Sequence, residues 1–237
     1  MNRTIHYCWF GGNPKSKLIE KCIASWRANF PDFEIKEWNE SNFDVRQNKY
    51  VSQAYDEKKY AFVSDFARFK ILYEEGGLYF DTDVEVIKPF YELFEDKAFA
   101  CFETDEYVAP GLVLWVKEPG NNILESMLER YSGLEFINPD GTQNTTTICV
   151  YFTEMLKKYG LKKDDGTVQV CGDFKIYPKE YFCPFNDLTG ELKKTENTCA
   201  IHWYSKTWMS KKEITRNKIT RIIHRYFGID FLRRFRR

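Results

Sequence analysis

The stretch that most restricts what this chain can become runs from Ala61 to Pro89, AFVSDFARFKILYEEGGLYFDTDVEVIKP. Ser64 suits the N-cap of a helix made of apolar and helix-forming residues, and Gly76-Gly77 supplies the left-handed conformation that ends one. Leu78-Tyr79-Phe80 then reads as a buried strand, which delivers Asp81 and Asp83 where it ends. In an extended segment residues i and i+2 face the same side, so both carboxylates reach one ligand while Thr82 turns away. An Asp-x-Asp triplet alone is usually a solvated turn, but here Val84, Val86 and Ile87 follow, so the acids interrupt a buried element. Unpaired buried charge costs several kcal/mol, and a hard divalent cation with oxygen ligands removes that cost. Asp65 and Arg68, three apart on the helix, share a face that the glycine turn folds back toward the strand end. An acid and a base beside a metal suit a polar, hydroxyl-rich ligand.

The run S-D-x-x-R, a short helix, G-G-x-Y-x-D-x-D and a hydrophobic strand resembles the DXD-containing sugar-binding glycosyltransferases. That group includes bacterial capsular polysaccharide transferases and fungal Golgi mannosyltransferases, and it is more distantly similar to the glucosylating clostridial toxins. The resemblance is specific over residues 61–89 and looser toward both ends of the chain. It implies a GT-A fold, a nucleotide-sugar donor, Mn2+ or Mg2+ on the D-x-D, and retention of anomeric configuration.

At 237 residues and 43% hydrophobic content the chain can bury one good core, and no second domain is evident. The expected architecture is α/β: a single-domain GT-A fold, Rossmann-like, with a mostly parallel central sheet flanked by helices. Residues 1–213 would form that domain and residues 214–237 a basic amphipathic tail. Equal numbers of acids and bases give zero formal charge, which argues against a nucleic-acid partner. The seven cysteines are scattered without a C-x-x-C pair, as expected for reduced thiols in a cytosol rather than a disulfide frame or a zinc site. Neither a signal peptide nor an apolar run of membrane-spanning length is apparent.

The order of elements supports a crevice. Ile5 to Phe10 is β-rich, Leu18, Ile19, Cys22, Ile23 and Trp26 recur at helical spacing, and Phe33, Ile35 and Trp38 resume a strand. Such a βαβ unit opens the carboxyl end of its first strand on a ligand crevice. Trp9 sits there, placed to stack on a uracil ring, with Gly11 letting the backbone approach the nucleotide; its W-x-G-G matches the toxins' nucleotide-stacking segment. The alternative is that Trp9 is core. The region from Phe99 to Val116, with the acidic loop Glu103 to Glu106, is expected to face donor sugar and acceptor. Near the carboxyl end, His202 emerges from a strand-like Ala200-Ile201 with Lys206 and Trp208 close behind. These suit closure over a diphosphate, with His202 as a further metal ligand. The family commonly ends in a His-rich strand followed by Ser-Trp; here Trp203 and Thr207 replace the second His and the Ser.

Residues 214–237 combine Ile219, Ile222, Ile223, Tyr226 and Phe227 with many arginines, the pattern of a helix that lies on an anionic membrane surface. The expectation is therefore a metal-dependent retaining glycosyltransferase, cytoplasmic and peripherally attached to the inner face of the cell membrane. It would move sugar from a UDP-sugar to a lipid-linked oligosaccharide acceptor in surface or capsular polysaccharide synthesis. Asp83 would hold the metal with help from Asp81, and Asp65 and Arg68 would orient the donor sugar. Two other readings are a haloacid-dehalogenase-type phosphatase, in which Asp81 attacks phosphorus and Asp83 is acid/base, and a non-enzymatic sugar-binding protein.

Overall fold

The computed structural model describes residues 2–205 and 211–228. Strand β1 (Thr4–Cys8), helix α1 (Lys17–Asn29) and strand β2 (Glu34–Trp38) form the expected parallel βαβ unit, with Ile5 opposite Ile35 and Cys8 opposite Trp38. Ser16 caps α1 by accepting the Ile19 N–H, and the helically spaced Ile19, Cys22, Ile23 and Trp26 are all buried. Helices α2 (Lys49–Asp56) and α3 (Tyr60–Glu75) follow, then the short strands β3 (Gly77–Tyr79), β4 (Val84–Val86), β5 (Ala98–Cys101) and β6 (Leu114–Val116). The chain continues through α4 (Asn122–Ser132), α5 (Ile148–Lys157), β7 (Gln169–Cys171), β8 (Phe174–Tyr177), β9 (Ala200–His202) and α6 (Lys211–Phe227).

The 7-stranded central sheet has the order β2-β1-β3-β6-β5-β8-β7. Strands β1, β2, β3, β5 and β8 run one way, and β6 and β7 run the other. This is the mostly parallel, helix-flanked α/β sheet that the sequence suggests. On one face α3 packs Phe66, Phe69 and Leu72 against Tyr131 and Phe152; on the other Trp26, Phe80, Phe90, Phe94, Phe99 and Trp115 form an aromatic layer. Full burial of each such side chain contributes roughly 1.5–3 kcal/mol, so the sheet is a rigid platform for what projects from its carboxyl edge.

Two local expectations need correction. Helix α3 begins at Tyr60 with no side-chain cap, and Ser64 lies within it, its hydroxyl donating to the Tyr60 carbonyl at 3.1 Å. Val63 is fully buried and Phe62 half-buried in that first turn, which extends the helix ahead of the serine. Second, Asp81-Thr82-Asp83 is not extended: the Val84 N–H donates to the Asp81 carbonyl at 3.1 Å, closing a turn between β3 and β4. Gly76 and Gly77 do adopt the left-handed φ values, +65° and +97°, that reverse the chain after α3.

The turn sends β4 out of the main sheet into a separate pairing with β9, Val84 opposite His202. The other side of β4 is satisfied by α1 side chains. Trp26 Nε1 donates to the Val84 carbonyl at 2.7 Å, Asn29 Nδ2 to the Val86 carbonyl at 3.2 Å, and Ser25 Oγ accepts the Val86 N–H at 3.0 Å. Helix α6 starts ahead of residue 214 and is tied to the domain by Arg221, whose guanidinium contacts the Asp187 carboxylate and donates through Nε to the Asp187 carbonyl at 2.8 Å. Among the described residues no helix is long and apolar enough to cross a membrane.

Candidate active site

Helix α3 and the end of β3 bring Asp65, Arg68 and Asp81 together. Arg68 is buried at 3% exposure, and its Nη2 lies 2.9 Å from Asp65 Oδ1 and 3.1 Å from Asp81 Oδ1. Nη1 reaches Asp81 Oδ2 at 3.3 Å, Nε donates to the Ser64 carbonyl at 3.1 Å, and the Tyr79 hydroxyl donates to Asp81 Oδ1 at 3.1 Å. The fork of the guanidinium is thus spent on two carboxylates and a carbonyl, a planar geometry lysine cannot reproduce. Arg68 orients the acids, while Asp65 and Asp81 keep partial access, 13% and 34% of their side chains. One cation cannot neutralise both acids. Burial, together with the charge of Asp81, outweighs Arg68 and pushes the Asp65 carboxyl up to about 7.

Asp83 lies against β9. His202 Nε2 lies 3.3 Å from Asp83 Oδ1, and the Ser205 N–H donates to Oδ2 at 2.7 Å. The backbone arranges this: the Trp203 N–H donates to the Asp83 carbonyl at 3.0 Å, and Tyr204, in the left-handed region with φ +50°, turns the chain so that Ser205 meets the carboxylate. Burial opposes ionisation of Asp83, yet the imidazole and the Ser205 N–H hold it well below the usual carboxylate range. Burial likewise disfavours a charged His202, but Asp83 raises its affinity for a proton. An acid so strongly stabilised as an anion, next to an imidazole nitrogen, is a place for a cation.

Trp9 stands half-buried just beyond β1, its Nε1 donating to the Asn13 carbonyl at 2.6 Å and its ring 5.4 Å from Lys15 Nζ. Gly11 has φ +86°, and a Cβ there would meet the Tyr60 ring at 2.2 Å, so its smallness serves packing against Tyr60. Lys206 and Trp208 lie outside the described residues. Two residues of the site escaped the sequence reading as individuals. Gly111 accepts the Asp81 N–H at 2.8 Å, and a Cβ on it would fall 1.8 Å from Asp81 Oδ2. Glu103, just after β5, faces His202 Nδ1 at 3.8 Å. The available signals were a glycine inside the apolar run Ala109 to Val116, and an acid directly after the apolar run Ala98 to Phe102.

Residues 16–100, which contain α1, α3 and the D-x-D turn, match the family model for the glycosyltransferase sugar-binding region containing DXD motif. No curated protein matches the chain as a sequence. Among solved structures, the fold is similar to the PaToxG glycosyltransferase, with a TM-score of 0.50 and 19% identity over 66% of this chain and 69% of that one. A glycosyltransferase involved in glycosylation of the major capsid of PBCV-1 gives 0.47 and 13% identity, covering 91% of this chain and 98% of that one. An active-site mutant of LgtC gives 0.43 and 14% identity, covering 91% and 95%. The fold class is GT-A, and the family match supports a transferase enzyme.

The residues present fit a divalent cation, although among the described residues no three His, Cys, Asp or Glu side chains are already gathered on one point. Adjacent ligands of an octahedral ion, each at about 2.1 Å, stand roughly 3 Å apart. The 3.3 Å between His202 Nε2 and Asp83 Oδ1 is close to that spacing and longer than the usual charge-assisted hydrogen bond of about 2.7–2.9 Å.

Proposed function

We propose that the enzyme is a metal-dependent, retaining transferase that moves a sugar from a UDP-sugar to a saccharide acceptor of surface or capsular polysaccharide. The observation that carries this reading is the division of labour at the D-x-D turn: Asp81 belongs to the Asp65–Arg68 cluster and Asp83 to the His202 edge. Asp83 and His202 would hold Mn2+ or Mg2+, with Asp81 assisting. When bound, the ion supplies positive charge to the departing diphosphate.

The chain's own groups account for the rest. Asp65 and Asp81, fixed by Arg68, accept hydrogen bonds from the hydroxyls of the donor sugar and set the orientation of its anomeric carbon. Trp9 offers a ring for the uracil, and Lys206 and Trp208 are assigned to the diphosphate. No carboxylate is assigned as a nucleophile. The acceptor oxygen bonds to the anomeric carbon on the face from which the sugar–phosphate bond breaks, and the acceptor's proton passes to the leaving phosphate oxygen. The test is proton NMR of the product formed from an α-linked UDP-sugar with Mn2+. An α-product without a trapped glycosyl-enzyme supports the mechanism, and a β-product or a covalent adduct refutes it.

The tail is assigned to a lipid-linked acceptor at the inner face of the membrane. On α6, Ile219, Ile222, Tyr226 and Phe227 are exposed, and Arg216 and Arg225 are exposed beside them. An anionic leaflet contributes on the order of 1 kcal/mol per nearby cation. Vesicles containing anionic lipid should therefore sediment the full chain but not a chain ending at residue 213, and vesicles of neutral lipid should sediment neither.

A further inference from the structure

Taking the cation site at Asp83 and His202 as its premise, we infer that Glu103 is a positioning residue that orients the His202 imidazole so that Nε2 is presented to the ion. His202 Nδ1 is fully buried and has no hydrogen-bond partner among the described residues. A buried imidazole nitrogen without a partner is costly, and when protonated it calls for an acceptor. The Glu103 carboxylate is the charged acceptor in position, its Oε1 at 3.8 Å, with the imidazole between it and Asp83 and the Cys183 thiol also beside the ring.

The surroundings leave the two rings and chains little freedom. Glu103 sits on a braced segment: Phe102 bridges to Val108, and the Glu103 N–H donates to the Tyr107 carbonyl at 2.8 Å. The Tyr204 ring lies against His202, tilted by 41° with centroids 4.0 Å apart, and the Tyr204 hydroxyl is held by Cys183 Sγ at 3.1 Å. Closing 3.8 Å to a hydrogen bond of about 2.8 Å takes a movement of about 1 Å by the flexible end of a glutamate. The proton then resides on Nδ1, and Nε2 presents its lone pair to an ion beside Asp83. Carboxylates that orient ligating histidines in this way typically govern metal affinity about 10–100-fold.

Nucleotide-free Mn2+ binding, read from the free-Mn2+ EPR signal, tests this without reference to turnover. Four proteins are compared: wild type, Glu103→Gln, His202→Asn and the double variant. Glu103→Gln should weaken Mn2+ about 10–100-fold, and in the His202→Asn background the same change should add nothing. Equal Mn2+ affinity in Glu103→Gln and wild type overturns the inference, as does an equal loss in both backgrounds. Absence of Mn2+ binding by the wild type would instead remove the cation site itself. Melting in EDTA checks each variant for folding. If Glu103→Gln does not fold, Glu103→Asp is used: it keeps the charge a methylene further back and should weaken Mn2+, with wild-type affinity overturning the inference.

Discussion

Gly111→Ala is the smallest change that the structure expects to disable the site. The backbone at Gly111 lies outside the left-handed region, so an alanine meets no conformational strain; the cost is steric. Its Cβ would lie 1.8 Å from Asp81 Oδ2 and 2.6 Å from Arg68 Nη1, where real contacts essentially never fall below 3.0 Å. The Asp81 carboxylate must retreat by at least 3.0 minus 1.8, or 1.2 Å. That movement takes it off the Arg68 fork and the Tyr79 hydroxyl. Hydrogen bonds to charged groups contribute about 1.5–3 kcal/mol each, so losing one or two costs about 2–5 kcal/mol. A displacement of about 1 Å at a sugar-positioning group costs roughly 100-fold in turnover. Urea denaturation and the slow hydrolysis of UDP-sugar measure the two effects. In an Asp81→Ala background the added methyl should cost less than about 1 kcal/mol, because its main clash partner is gone. Stability within about 0.5 kcal/mol of wild type together with unchanged hydrolysis would refute the steric reasoning.

Other outcomes follow from the same geometry. The Asp65 carboxyl, raised to about 7 from an unfolded value of 3.8, contributes stability below that unfolded value and loses it as pH rises through 7. Asp65→Asn should therefore gain on wild type between pH 5 and pH 8, by up to about 3 kcal/mol, in urea denaturation with EDTA; a constant difference would contradict the assignment. His6 acts in the opposite sense. Trp38 Nε1 donates to its Nδ1 at 3.1 Å, so the ring proton sits on Nε2 and faces the Gly76 carbonyl at 3.0 Å. Burial lowers its pKa from 6.5 to about 4, so its contribution is full above 6.5 and lost as pH falls through 4. NMR titration should find this imidazole neutral at pH 5.5, and a midpoint near 6.5 would contradict its burial. Trp9→Ala should weaken UDP binding by about 1–3 kcal/mol, the scale of base–aromatic stacking, with unchanged melting; undiminished affinity assigns Trp9 to packing.

What was legible in the sequence was whatever local periodicity controls. The first βαβ unit, α3 with its Gly76-Gly77 reversal and the buried β3 declare themselves through helical or strand spacing and through glycines that need positive φ. The D-x-D turn misleads because its conformation is set from outside. Trp26, Ser25 and Asn29 of α1 hold one side of β4, and β9 pairs with the other. None of those partners is near the turn in sequence, so an extended i, i+2 geometry looked sufficient. Asp65 and Arg68 were legible as a pair, but not that Arg68 is buried with its fork committed to the two acids. Glu103 and Gly111 gain meaning only when β5, β6 and β9 converge, since neither carries a motif of its own.

Calorimetric titration of UDP into the wild type with Mn2+, then with EDTA, and into Asp83→Asn bears most directly on the central claim. Metal-dependent UDP binding in the wild type, abolished by EDTA and lost in Asp83→Asn, is the predicted result. UDP binding of equal strength with EDTA or in the variant would contradict a cation held at the D-x-D turn.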